Sequence, residues 1–275
     1  MPTVSIVVPA YNPGRLLTRA LDSIVTQSFG DWECVVVDDG SDEALAWVAD
    51  RDPRIRLLRQ ANAGVAAARN RGIEATTGQL VAFCDHDDEW LPAKLERQVA
   101  AFSRGGLCYT SFERVDSWER RIGNGYGGAS GYEDLLSGNG ICTSTVMVRR
   151  DVLGGAFDTG LVVGEDWDLW LRIAREHPII GIDEVLVRYR QHEHQASRDY
   201  RALWRDARTI LDGHQHPNVD VGRRRVRVLS GIQAFDRARE TRNLRHLAYA
   251  ATHAPSYTGR QLVQWLISLA RSAPR

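Results

Sequence analysis

The 275-residue chain has no stretch of about 18 uninterrupted apolar residues, so the sequence offers no membrane-spanning helix. Its first residues, Met1-Pro2-Thr3-Val4, carry neither a basic segment nor a long apolar segment, and the expectation is a cytoplasmic protein without a leader. Cysteine is scarce. Cys34, Cys84, Cys108 and Cys142 lie far apart, each in or beside an apolar run, and no C-x-x-C pair occurs. That spacing fits buried free thiols in a reducing compartment rather than a disulfide or zinc scaffold. No G-x-G-x-x-G follows the first strand-like run, which weakens a dehydrogenase reading, and no Gly-Lys-Ser/Thr follows the glycine-rich stretch 123–128, which argues against a phosphate loop. Net charge is also missing, at 35 basic and 35 acidic side chains, but the balance hides an asymmetry. Residues 1–195 carry 20 basic and 29 acidic groups, and 196–275 carry 15 and 6. An acidic front with a basic tail speaks against a nucleic-acid partner, whose basic surface normally accompanies the recognition fold.

What is present reads as ordinary globular material, 43% hydrophobic and 25% charged, enough for one large α/β domain with an appendage. Val4 to Val8, ended by Pro9, has the continuous apolar character of a strand buried on both faces. Asn12 is a suitable N-cap and Pro13 a suitable first residue for a helix burying Leu17, Ala20, Leu21, Ile24 and Val25. Cys34 to Val37 is a second strand that stops at Asp38-Asp39-Gly40-Ser41. A weak helix over Glu43–Asp50 leads to a third strand, Ile55–Leu58. Asn62-Ala63-Gly64 then opens a helix containing Arg69 and Asn70 and closed by Gly78. Leu80 to Cys84 is the fourth strand, and it ends in Asp85-His86-Asp87-Asp88. Trp90-Leu91-Pro92 begins a further helix that points Leu95, Val99 and Phe102 inward.

Side chains alternate along an extended chain, so Asp85 and Asp87 project from one side. Two carboxylates at a strand end suit a hard cation that completes its shell with water and a diphosphate; a solvated acidic turn is the plainer alternative. Ligands of open α/β sheets lie outside the carboxyl ends of the strands, where both acidic pairs fall. Residues 1–103 therefore read as a doubly wound nucleotide-binding half.

Beyond 105 the pattern changes. Leu107–Thr110, Phe112–Asp116, Ile141–Val148 and Val185–Arg190 are strand-like, and Gly123–Gly128 reads as a flexible loop. Gly164-Glu165-Asp166 opens a helix through Trp167–Ala174, and both acids could serve simply as caps. Trp90, Trp167 and Trp170 fit a core better than a sugar-stacking face. Residues 196–275 are helical by pattern. The face formed by Leu262, Val263, Trp265, Leu266, Ile267 and Leu269 would pack on the main domain, on a second copy in a homodimer, or, as a minority alternative, at an anionic membrane surface.

The set Ser5-Ile6-Val7-Val8-Pro9-Ala10-Tyr11-Asn12, Val37-Asp38-Asp39-Gly40-Ser41, Asn62-Ala63-Gly64 with Ala68-Arg69-Asn70, Asp85-His86-Asp87-Asp88 and Gly164-Glu165-Asp166-Trp167-Asp168 resembles the family 2 glycosyltransferases over about residues 3–195. The resemblance implies an α/β chain of GT-A fold, a Rossmann-like nucleotide-binding half (1–103) and an acceptor-side half (104–195) around a mixed central sheet, with a C-terminal helical extension over 196–275. It implies a nucleotide-sugar donor, UDP- or dTDP-linked, bound by Pro9, Ala10, Tyr11, Asn12, Asp39, Asn62, Arg69, Asp85 and His86. It implies a divalent Mn²⁺ or Mg²⁺ ion on Asp87 and His192, with His192 alone equally readable as structural. Asp166 matches the base that deprotonates the acceptor hydroxyl, giving single displacement with inversion; Glu165 is the runner-up for that role and otherwise falls, with Trp167, on the acceptor side. The Q-x-x-R-W motif and membrane spans of the processive synthases are absent, so one sugar per acceptor is expected, the acceptor being a glycan, a lipid-linked glycan or a small molecule. A catalytically silent sugar-nucleotide binder and a sugar nucleotidyltransferase are the rival readings. The second suffers because Pro9–Arg15 makes a poor glycine- and lysine-bearing loop. The site is expected in the cytoplasm, with contact at the inner membrane face left open.

Overall fold

The computed structural model describes residues 1–102, 105–125, 128–154, 156–192, 195, 198–241, 243–259 and 261. Strands β1 (Val4–Ala10), β2 (Trp32–Asp38), β3 (Ile55–Arg59) and β4 (Leu80–Phe83) pair in parallel in the order β3-β2-β1-β4. Every residue of β1 is buried, as its unbroken apolar run requires of a strand covered on both faces. Helix α1 (Leu16–Val25) buries Leu17, Ala20, Leu21 and Ile24, and α2 (Val65–Glu74) lies close over β1. That closeness depends on Gly72, where an added Cβ would stand 2.3 Å from Val7 Cγ1.

The sheet continues with β5 (Glu89–Trp90), then, after α3 (Lys94–Ala101), β6 (Leu107–Val115) and β7 (Arg121–Gly125), and, after α4 (Tyr132–Leu136), β8 (Met147–Arg149). Helix α5 (Glu165–Glu176) precedes the long β9 (Ile179–Arg190). Among the described residues the nine strands form one mixed sheet, β3-β2-β1-β4-β8-β6-β9-β5, with β7 paired to β6. Because β8 runs antiparallel to both β4 and β6, while β9 runs parallel to β6, the carboxyl ends of β1, β2, β4 and β9 share one edge with the start of β8. This brings residues near 10, 39, 85, 144 and 192 to the same margin.

Lys94, the only lysine in the sequence, is fully buried behind that margin. It donates to Gln98 Oε1 (2.7 Å) and lies 3.9 Å from the Trp90 ring centroid. Burial pulls its pKa down to about 7.

The chain divides into two units, Met1–Leu135 with Asn139–Leu161 and Glu165–Glu193, and Leu136–Gly138 with Val162–Gly164 and His194–Arg275. In the second unit, α6 (Tyr200–Asp212) is capped by Asp199, whose carboxylate accepts from the N–H groups of Arg201 and Ala202. Helix α7 (Pro217–Thr241) and α8 (Leu244–His253) complete a small core of Tyr200, Ala234, Phe235 and Ala250. Among the described residues no helix is long and apolar enough to cross a membrane. The apolar face expected over Leu262–Leu269 lies outside the described residues.

Several expected elements differ. Helix α1 starts at Leu16, and Asn12, expected as its N-cap, has φ +44° and bonds across to the β2 loop instead. Residues 43–50 yield only a 3₁₀ turn, Ala46–Asp50. Helix α2 begins one residue after Gly64 and ends at Glu74, well before Gly78. Trp90 sits in β5, so α3 starts at Lys94. Leu107–Val115 is a single strand, and part of the supposed glycine loop is β7, held by pairing that composition alone does not reveal. The run Ile141–Val148 is not one strand: its hydroxyl-bearing middle, Thr143–Thr145, forms a 3₁₀ turn before β8. Strand β9 starts six residues before Val185, its partner β6 supplying the register.

Candidate active site

The site is built at the end of β1, whose last two carbonyls join two acidic loops. The Asp39 N–H donates to Ala10 O (2.8 Å), and His86 Nδ1 lies 3.3 Å from Pro9 O. In the first loop Asp39 is 4% exposed and accepts from Gln60 Nε2 (2.7 Å), Ala63 N (2.8 Å) and Gly64 N (2.9 Å). It therefore fixes the turn before α2; Tyr11 is 49% exposed, and Asn62 is exposed as well. Gly40, at φ +84°, permits this turn, since a Cβ there would meet Asn62 N at 2.8 Å. Asp38 accepts from Ser41 N and pairs with Arg59, and Asn12 bonds Ser41 and Asp42, so the β1 and β2 loops are tied.

The second loop, 85–88, presents three acids in three settings. Asp85 pairs with Arg69 (2.7 Å). Arg69, expected beside the nucleotide, is 3% exposed and commits its other terminal nitrogen to Glu165 (2.5 Å), with Phe157 5.2 Å away. It acts as a brace between β4 and α5. Asp87 Oδ2 meets His192 Nε2 at 2.7 Å. Burial opposes ionisation of Asp87, but the His192 contact and the nearby imidazoles outweigh it and hold the carboxyl below the usual range. Asp88, 1% exposed, accepts from Ser144 Oγ (2.5 Å) and Arg190 N (2.9 Å). Burial first, then repulsion from Asp87 and Asp85, pushes its carboxyl well up.

Arg190, 3% exposed, anchors this loop further. Its guanidinium donates to Asp87 O (3.0 Å), Glu89 (2.8 Å) and Glu119 (2.5 Å).

At the head of α5, Asp166 is half-buried. Its carboxylate accepts from Thr143 Oγ1 (2.9 Å), Asn139 Nδ2 (3.3 Å) and Trp167 N (2.6 Å). Burial and then the Glu165 charge raise it to about 6, against the opposing pull of Arg69 and the Thr143 hydrogen bond. A carboxylate titrating there is suited to taking a proton near neutrality. Trp167, expected on the acceptor surface, is 4% exposed with its indole N–H on Leu135 O (2.8 Å); it seats the helix in the core.

The neighbours Thr143 and Ser144 tie the two acidic regions together: Thr143 holds Asp166, while Ser144 donates to Asp88 and accepts from Asp85 N (3.0 Å). Sequence reasoning missed Asn139, Thr143, Ser144 and Arg190. The three consecutive hydroxyls at 143–145 inside an apolar run were the available signal.

Among the described residues no three His, Cys, Asp or Glu side chains gather as a ready metal cage. Asp87 with His192 supplies one carboxylate and one imidazole, a donor set that fits Mn²⁺ or Mg²⁺ when water and diphosphate oxygens provide the remainder.

A family model described as glycosyl transferase family 2 matches residues 5–154. The UDP-Glc:alpha-D-GlcNAc-diphosphoundecaprenol beta-1,3-glucosyltransferase WfgD of Escherichia coli is 31% identical over 186 residues, covering 66% of this chain and 73% of that protein. An uncharacterized glycosyltransferase of Nostoc sp. is 34% identical, covering 61% of this chain and 56% of its own. Another, of Rickettsia conorii, is 30% identical and is spanned over only 32% of its length. Among solved structures, S. aureus TarS 1-349 in complex with UDP-GlcNAc superposes with a TM-score of 0.63 at 17% identity, covering 85% of this chain and 73% of that one.

Proposed function

This chain belongs to the family 2 glycosyltransferases and has the GT-A fold, and we propose that it is an inverting, metal-dependent enzyme moving one sugar from a UDP-sugar to an acceptor hydroxyl. The observation that carries the reading is the contrast between Asp87, whose Oδ2 lies 2.7 Å from His192 Nε2, and Asp166, whose carboxylate accepts from Thr143, Asn139 and the Trp167 N–H. The first suits a cation and a diphosphate; the second suits an acceptor proton.

In this mechanism Tyr11 and Asn62 flank the base at the end of β1, with Pro9, Ala10 and Asn12 forming the floor. Asp39 keeps one lone-pair direction beyond the three donors it already has and offers it to the uracil edge. Asp85, through the oxygen that Arg69 does not engage, and His86 receive the ribose side. Asp87 and His192 would hold the divalent ion, which when bound supplies Lewis-acid stabilisation to the departing diphosphate. Asp166 takes the acceptor proton as the hydroxyl attacks the anomeric carbon from the face opposite the diphosphate. Glu165, kept in place by Arg69, borders the acceptor.

UDP as the carrier is supported by the E. coli relative's name and by the TarS complex. The same relative acts on a diphosphoundecaprenol-linked sugar, and we extend that to this chain: a glycan on a lipid carrier, reached from the cytoplasmic membrane face. Residues 1–195 are the catalytic part in this reading and 196–275 an accessory part. Helix α7 supports it, with exposed Arg224 and Arg225 beside Val228 (43% exposed) and Leu229 (46%). Basic side chains flanking apolar ones suit an anionic bilayer.

Incubation with UDP-glucose or UDP-N-acetylglucosamine, with and without Mn²⁺ or Mg²⁺, tests the activity through UDP release. Metal-dependent release abolished by Asp87→Ala is the expected result. Pyrophosphate from UTP and a sugar 1-phosphate, with no UDP release, would replace this reading with nucleotidyl transfer.

A further inference from the structure

The Thr143–Thr145 turn makes bonds in several directions, and only some of them face the site. Its Ser144 carbonyl accepts from Trp90 Nε1 (2.9 Å), and its Thr145 carbonyl accepts from Gln98 Nε2 (2.9 Å), the same amide that accepts from buried Lys94. The turn is therefore braced from behind by β5 and α3. On its front, two successive side chains reach two different acids: Thr143 Oγ1 to Asp166 and Ser144 Oγ to Asp88. Thr143 is 5% exposed and Ser144 fully buried, so neither hydroxyl has bulk water as a substitute partner.

We propose that Thr143 is a positioning residue, aiming the Asp166 carboxylate and setting its basicity, with the turn fixing the base relative to the donor-side acids. The catalytic consequence rests on the reading of Asp166 as the base; the hydrogen-bond role does not. The groups that bear on Asp166 are Glu165 beside it on α5, Arg69 from α2, the Cys142 thiol on the turn, and the neutral donors Asn139 Nδ2 and Trp167 N–H. The Thr143 hydroxyl, at 2.9 Å, is held closer to the carboxylate than the Asn139 amide at 3.3 Å. A hydroxyl that donates to the ionised form stabilises it, so removing the hydroxyl raises the titration midpoint.

The test is a carboxyl-carbon NMR titration of the full chain labelled at aspartate, the Asp166 signal being identified by its loss in Asp166→Asn. Wild type should titrate near 6. Thr143→Val, which keeps the shape and removes the donor, should move the midpoint up by about one pH unit, and Thr143→Ser should restore it. Thr143→Ala serves as the second donor-free variant if valine disturbs folding. An unshifted midpoint in a folded donor-free variant overturns the proposal. The pH profile of UDP release from UDP-N-acetylglucosamine, with water as acceptor, separates the two claims. If its acid limb moves with the NMR midpoint, both stand. If the midpoint moves and the limb does not, Asp166 is not the base and only the hydrogen-bond role survives.

Discussion

Asp85 and Asp87 at the end of β4 and Asp166 at the head of α5 are the same kind of side chain beside different partners. Asp85 faces a guanidinium and Asp87 an imidazole, while Asp166 meets a hydroxyl, a side-chain amide and a backbone N–H. Both regions restrict solvent, so burial alone does not separate them. The partners do: the His192 contact and neighbouring charge hold the Asp87 carboxyl down, whereas at Asp166 burial and the Glu165 charge outweigh Arg69 and the neutral donors. On the proposed reading, charge binding falls to a strand end and proton transfer to the start of a helix.

The sharpest way to break the contrast is to remove a carboxylate from each side. Asp166→Asn should lower turnover by about 10²–10⁴-fold while leaving UDP affinity unchanged, whereas Asp87→Ala should weaken metal-supported UDP binding; calorimetry beside UDP-release kinetics reads both. Equal loss of UDP affinity in the two variants would erase the division.

Arg69→Met attacks the brace between the regions. It leaves Asp85 and Glu165 without their shared cation, with Glu165 7% exposed, and should cost about 3 kcal/mol of stability in denaturant unfolding. A loss below about 1 kcal/mol would mean that solvent can replace the guanidinium.

In the unmodified protein, the rate should rise as pH increases through about 6, following ionisation of Asp166. Asp166→Asn should abolish that rise without changing the pH dependence of donor binding. A rise that persists in Asp166→Asn would contradict the separation.

A separate stability test concerns the support behind the site. Lys94 titrates at about 7 when folded and near 10.5 when unfolded, so the unfolded chain binds more protons between those values. Stability should therefore climb as pH rises from about 7 toward 10, and Lys94→Met should flatten that climb, as thermal unfolding across the range would register.

Much of the donor side was legible because its determinants are local. Val4–Val8, Cys34–Val37 and Leu80–Cys84 are apolar enough to be buried strands, and acids follow the last two at once in sequence, so the α/β class and the sheet edge could be read directly. The acceptor side was less legible, since its determinants are long-range. Ile141–Val148 looked like a strand because hydroxyls in an apolar run resemble strand residues. Only the antiparallel insertion of β8 between β4 and β6 makes Thr143 and Ser144 turn toward distant acids. Arg69 was assigned to ligand contact and turns inward, while Trp167, read both as core and as an acceptor contact, lies in the core; whether a polar or aromatic group faces a ligand or a neighbouring helix depends on packing that one sequence does not display.

Gly72 has a consequence for chemistry more than one helical turn away. The missing side chain lets α2 rest almost directly on Val7, and Arg69, one turn earlier on that helix, inherits its depth from that stand-off. Even a methyl group at 72 would act as a shim, lifting the helix and withdrawing the guanidinium from the two carboxylates it spans. The reach of the brace is thus gauged by the absence of an atom where helix meets strand.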